Sequence, residues 1–138
     1  MEAVVLMRTK TWAKAGELEL RNVTKVFDDD TNPLTVVEDC SLVLERNKLT
    51  VMVGPSACGK TTLINLIAGY ETPTSGEILL DGRPVNGPSS DRLVVFQETA
   101  LFPWMTVLEN VVFGPLARGA MSRKEAEQEA MALLDRVG

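Results

Sequence analysis

The sequence predicts an α/β fold in which a buried strand runs through a glycine-rich loop into a helix. Three observations carry this. Residues 49–53, Leu-Thr-Val-Met-Val, are apolar on nearly every position, as in a strand covered on both faces within a parallel sheet. Gly54-Pro55-Ser56-Ala57-Cys58-Gly59-Lys60-Thr61 follows at once, with glycines that stop the strand and open a tight loop. From Lys60 an apolar run through Leu63, Ile64, Leu66 and Ile67 ends at Gly69, a usual helix stop.

Residues 1–16 mix charged and small side chains without a period and read as an N-terminal extension. Residues 17–27 alternate Leu18, Leu20 and Val23 with polar positions, which predicts a half-buried strand. Residues 28–33 carry an acidic triplet and Asn32-Pro33, a loop pattern, and residues 35–44 read as a second strand. A loop over 71–76 leads into a strand at 77–80, which enters a tight turn at Asp81-Gly82. Leu93-Val94-Val95-Phe96 reads as another short buried strand, expected to lie parallel to 49–53 and ending at Gln97. Thr106 with Glu109, and Ser122 with Glu125, are capping boxes that predict two helices, the second running to Val137.

Composition narrows the function. The chain has 138 residues, one domain's worth, with ordinary apolar and charged fractions and a formal net charge of -5. That balance argues against nucleic acid as the partner. No apolar run approaches the ~18 residues of a membrane span, and no basic residue precedes the apolar start as in a secretory signal. A cytosolic protein is therefore expected, with any membrane link made through a partner. Cys40 and Cys58 are not expected to pair there, and the absence of histidine excludes any His-based general base.

The segment 54–61 fits G-x-x-x-x-G-K-[ST] at every fixed position. A loop that wraps a polyphosphate with successive backbone N–H groups must keep side chains away at Gly54 and Gly59. The helix that follows aims its N-terminal N–H groups and positive dipole end at the phosphates. Lys60 places a charge on the β- and γ-phosphates, and Thr61 offers a hydroxyl to Mg²⁺. Pro55, Ser56, Ala57 and Cys58 form the intervening wall; Cys58 reads as a small side chain that fits. Gln97, at the carboxyl end of a strand, has a carbonyl that reaches Mg²⁺ or its water, or else is a polar residue leaving the core.

Residues 17–138 resemble the ATP-binding subunits of ATP-binding-cassette importers of nitrate, sulfonate and taurine type. The matching segments are Val23-Thr24-Lys25-Val26-Phe27, the loop 54–61, Leu66-Ile67-Ala68-Gly69, Pro73-Thr74-Ser75-Gly76 and Val94-Val95-Phe96-Gln97-Glu98. They continue through Leu101-Phe102-Pro103-Trp104-Met105-Thr106-Val107 to Glu109-Asn110-Val111. The resemblance implies a P-loop NTPase core, an antiparallel β subdomain over 17–44 and 77–80, and the start of a helical subdomain at about residue 98. It implies ATP and Mg²⁺ as ligands, held by the loop through Thr62, with adenine stacked on Phe27. Gln97 resembles the glutamine that contacts Mg²⁺ and links the nucleotide to the permease, and 101–104 the surface that receives a helix of the transmembrane subunit. The implied partners are that permease, a second ATP-binding subunit and, indirectly, a solute-binding protein, with the chain peripheral on the inner face of the membrane.

The resemblance covers only the N-terminal half of the family domain. The family's Walker B strand ends in Asp followed by a catalytic Glu. Ile78-Leu79-Leu80-Asp81 is followed by Gly82, and Met131-Ala132-Leu133-Leu134-Asp135 by Arg136, so neither supplies it. The Leu-Ser-Gly-Gly-Gln signature and the switch histidine are also absent. The expectation is a truncated cassette that binds ATP without hydrolysing it alone, and that aggregates through uncovered strands. The alternatives are a non-catalytic nucleotide-binding or interaction fragment and, less in keeping with the residues before the loop, a small P-loop kinase.

Overall fold

A computed structural model describes residues 16–28, 32–96 and 101–138. The described residues form two compact units, divided between 97 and 98. In the first, β1 (Leu18–Phe27), β2 (Leu34–Leu44), β3 (Ser75–Leu80) and β4 (Arg83–Pro84) make an antiparallel sheet of order β2-β1-β3-β4. α1 (Lys60–Ala68) packs on it. Leu63, Leu66 and Ile67 enter a core with Leu18, Leu20, Val23, Val37 and Ile78. The expected antiparallel strands and the helix ending at Gly69, which is left-handed at the C-cap, are all present.

β1 does not alternate strictly. Its buried residues are Leu18, Leu20 and then Val23, and the pairing with both neighbours shifts beyond Leu20 and Arg21. This is a bulge at Asn22, whose φ is 48°. Side chains bridge the interrupted ladder: the Asn22 amide donates to Asp39 Oδ1 at 2.8 Å, and the Asn22 N–H to Ser41 Oγ at 2.9 Å. Gly76 closes over the bulge at φ 80°, where a Cβ would stand 2.3 Å from the Asn22 carbonyl oxygen. That fit explains why β3 begins at Ser75, inside the stretch read as loop. Asp81 and Gly82, both at positive φ, make the tight turn into β4.

Two expectations fail. Residues 49–53 and 93–96 are not strands, so the parallel pair they were to form is absent. Leu49, Val51 and Val53 are 81%, 68% and 75% exposed, while Met52 alone turns toward the core. Leu93, Val95 and Phe96 are about half exposed. A parallel strand needs a ladder on its edges and cover on its faces, and no described segment pairs with either run. Their apolar character records a demand for cover that these residues do not meet among themselves.

In the second unit, α2 (Val107–Ala117) and α3 (Arg123–Val137) pack around Val112, Ala126 and Ala130. The alanines allow close helix approach. Both expected capping boxes form, Thr106 with Glu109 and Ser122 with Glu125.

Candidate functional site

Lys60 opens α1 and Gly59 is its N-cap, with φ 90°. No side chain caps this end, and no acidic residue lies in the first turn. The first N–H groups of a helix have no intrahelical acceptor, so the loop presents them outward with the positive end of the helix dipole. Gly59 has no substitute here: a Cβ would stand 2.6 Å from the Val36 carbonyl oxygen. At Gly54 a Cβ would meet Cys58 Sγ at 2.9 Å, inside the cradle. Ala57 takes up φ 62°, which completes the reversal of the loop.

The Lys60 ammonium folds back over the loop. It donates to the carbonyls of Gly54 at 2.8 Å and Pro55 at 2.6 Å and lies 3.5 Å from Cys58 Sγ. Thr61 is exposed and Thr62 half-buried on the same first turn. Residues 54–62 thus bring together an uncapped helix N-terminus, one cation and the hydroxyls of Thr61 and Thr62, groups whose chemistry would suit a polyphosphate and its metal.

Phe27 ends β1, 40% exposed. It pairs with Leu34 of β2, and two residues further on the Val36 carbonyl lies under Gly59. Strand spacing near 4.8 Å and a rise of about 3.3 Å per residue place Phe27 roughly 8 Å from the position of Val36. The aromatic and the loop therefore sit at the same end of β2. Gln97 lies outside the described residues.

Sequence reasoning passed over two residues. Lys25 shares the strand face of Phe27 by the period of two and lies 4.9 Å from the ring centroid. Asn110, in α2, holds the turn before its own helix. Its Oδ1 accepts from the Phe102 N–H at 2.8 Å, and its Nδ2 donates to the carbonyls of Phe102, Met105 and Thr106 at 3.2, 3.1 and 2.9 Å. This clamp presents Leu101 and Trp104, both well exposed, with Phe102 in tilted contact with Trp104 and Phe113. An asparagine one turn inside a helix after a Pro-Trp pair was the available signal.

Neither Asp81 nor Asp135 takes a catalytic setting. Asp81 accepts from Arg46 and from the Glu17 N–H, bracing the β3–β4 turn, and Asp135 is exposed on α3. A cavity of about 510 Å³ lies away from the loop, lined by Leu80, Arg83, Asn86, Ser89 and Arg92 among others. It is open and carries both acidic and basic side chains, so the loop's geometry outweighs its size. Among the described residues no helix is long and apolar enough to cross a membrane. Burial, helped by Asp39, pushes the Cys40 thiol pKa up.

A capless helix N-terminus, a glycine at 59 without room for a side chain and a lysine curled over the loop are the features of a phosphate-loop nucleotide fold. The family profile described as ABC transporter matches residues 37–138, and the chain belongs to that family. It is 50% identical over 102 residues to the taurine import ATP-binding protein TauB of Yersinia pestis bv. Antiqua, covering 74% of this chain and 40% of that protein. TauB of Pseudomonas fluorescens is 47% identical over 123 residues, 88% of this chain and 46% of its own. An uncharacterized ABC transporter ATP-binding protein of Methanocaldococcus jannaschii is 43% identical over 111 residues, 80% and 42%. The dimeric post-hydrolysis structure of the ATP-binding cassette MJ0796, bound to ADP and Pi, superposes with a TM-score of 0.72 at 30% identity, over 86% of this chain and 56% of that one. The chain spans less than half the length of these curated relatives.

Proposed function

We propose that this chain binds Mg-ATP as the nucleotide-binding part of an importer's ATP-binding subunit, of the taurine, sulfonate and nitrate kind. The observation that carries this is the cradle of residues 54–62, with the N-terminus of α1 left uncapped and the Lys60 ammonium poised over the loop. In this reading the backbone N–H groups and Lys60 hold the β- and γ-phosphates, and Thr61, with Gln97, holds Mg²⁺. Phe27 stacks on the base. The metal's part is to neutralise charge on the phosphates.

Hydrolysis needs a carboxylate placed to polarise water and, in a dimer, donors from an opposing subunit. The sequence has no apolar strand ending in Asp-Glu and no Leu-Ser-Gly-Gly-Gln. The 138 residues therefore bind ATP and do not turn it over by themselves. In the whole protein, ATP binding and hydrolysis drive solute uptake through a transmembrane permease and a second ATP-binding subunit, on the inner face of the membrane. The exposed turn at Leu101 and Trp104, held by Asn110, supports a permease contact there.

The test pairs calorimetric titration of Mg-ATP with a phosphate-release assay on the same preparation. Saturable binding without release above the buffer rate is the expected result. No saturable binding would remove the nucleotide reading, and steady release would remove the statement about hydrolysis.

A further inference from the structure

Lys25 is tethered in three ways. Its ammonium pairs with Glu71 Oε2 at 2.9 Å, donates to the Thr72 carbonyl at 2.9 Å, and stands 4.9 Å from the centroid of the Phe27 ring. Its side chain is only 13% exposed, while the Glu71 side chain and Phe27 are 36% and 40% exposed. Around it the end of β1 is laced to the segment after α1. The Thr74 N–H donates to the Thr24 carbonyl at 2.8 Å, and Thr74 Oγ1 accepts from the Val26 N–H at 3.0 Å. That segment follows directly on Gly69, the C-cap of the helix whose other end carries the phosphate loop.

We propose that Lys25 is a positioning residue for the nucleotide base: anchored by Glu71 and Thr72, it occupies one face of the Phe27 ring and leaves the other face to a purine. This rests on the reading of Phe27 as the stacking residue. The sequence of causes is physical. The ammonium is attracted to the π-face and fixes the ring's orientation, which a lone phenylalanine at a strand end would not keep. A cation on one face also draws density from the ring, so the opposite face suits an electron-rich base in offset stacking. Because Glu71 and Thr72 are tied to α1 through Gly69, the ring is held in register with the phosphate loop. Binding then loses less side-chain freedom.

The experiment compares calorimetric affinities for Mg-ATP and for Mg-tripolyphosphate, which has the phosphates and no base. Lys25→Met should weaken ATP about three- to tenfold and leave tripolyphosphate unchanged. Lys25→Arg, which keeps a cation over the ring, should restore ATP affinity to within about twofold. In a Phe27→Leu background Lys25→Met should cause no further loss. Should Lys25→Met fail to fold, Glu71→Gln releases the anchor without touching the ring and should weaken ATP alone, by about twofold. Equal loss for both ligands, or no loss for either, overturns the role of Lys25. If Phe27→Leu itself leaves ATP affinity unchanged, the stacking reading has failed and the role of Lys25 falls with it. If Phe27→Leu weakens ATP and Lys25→Met does not, the stacking reading stands and only this proposal is lost.

Discussion

Replacing Lys60 with alanine tests the phosphate cradle most directly. An ammonium has three donors; two meet the Gly54 and Pro55 carbonyls at 2.8 and 2.6 Å, and the third faces only the weak acceptor Cys58 Sγ at 3.5 Å. Bound phosphate therefore does not find a free cation. It must take the third donor or displace a carbonyl, so the gain is the difference between an ammonium–carbonyl and an ammonium–phosphate contact. A hydrogen bond to a charged group contributes about 1.5–3 kcal/mol net, so one such exchange predicts a loss of roughly 10- to 150-fold in affinity. The freed carbonyls lie on an exposed loop and find water, so the fold should survive. Calorimetry in Mg²⁺ with ATP and with tripolyphosphate measures both losses, and circular dichroism confirms unchanged secondary structure. The two ligands should lose affinity equally, since Lys60 faces phosphate and not base. Equal ATP affinity in the two proteins would refute the cradle, and a loss confined to ATP would move Lys60 away from the phosphates.

Cys58 is exposed in the loop, and a thiol reagent should label it with Mg-ATP slowing the reaction. Cys40, whose thiol pKa burial raises, should label slowly at the same rate with or without nucleotide, and an unprotected Cys58 would contradict the site. Asn110→Ala should release the turn before α2, raising the amide exchange rate of Phe102 by roughly tenfold for the loss of about 1–1.5 kcal/mol; unchanged exchange would deny the clamp. Hydrogen bonds from the Thr106 backbone and hydroxyl hold the Glu109 carboxyl below its ordinary pKa, and those from the Ser122 hydroxyl and backbone do the same for Glu125. A lowered folded pKa contributes stability above the unfolded value that is lost as pH falls through the folded one. Helix content of the second unit should therefore decline on the acid side of the ordinary glutamate range, and Glu109→Gln with Glu125→Gln should flatten that decline.

The helices of the second unit are legible because their signals are local. Each capping box closes within four residues, so Thr106 and Glu109, or Ser122 and Glu125, meet whatever the rest of the chain does. The antiparallel strands are legible for a similar reason, although the bulge at Asn22, read from sequence as plain alternation, was not. Residues 49–53 fail because burial on two faces is a property of neighbours, which no window of five residues contains. The glycine at 59 could be read from the motif, and the structure supplies its reason in the Val36 carbonyl oxygen that leaves no room for a Cβ. The clamp at Asn110 and the tether at Lys25 were hidden: each depends on carbonyls or carboxylates brought close by a turn or by tertiary contact, and side-chain identity alone does not say where they will be.

The seat of Gly59 against Val36 makes tolerance to substitution one-sided. The atom that a Cβ at position 59 would strike is a main-chain oxygen, 2.6 Å away, which every residue at position 36 carries alike. No change of side chain at 36 opens room at 59, so no second-site replacement there rescues a lost glycine. Position 36 is held by its backbone path beside the loop and by a half-buried side chain packed on the core. Libraries built on this chain would find a single residue at 59 and, at 36, those apolar side chains that the core accepts, although the two lie in contact.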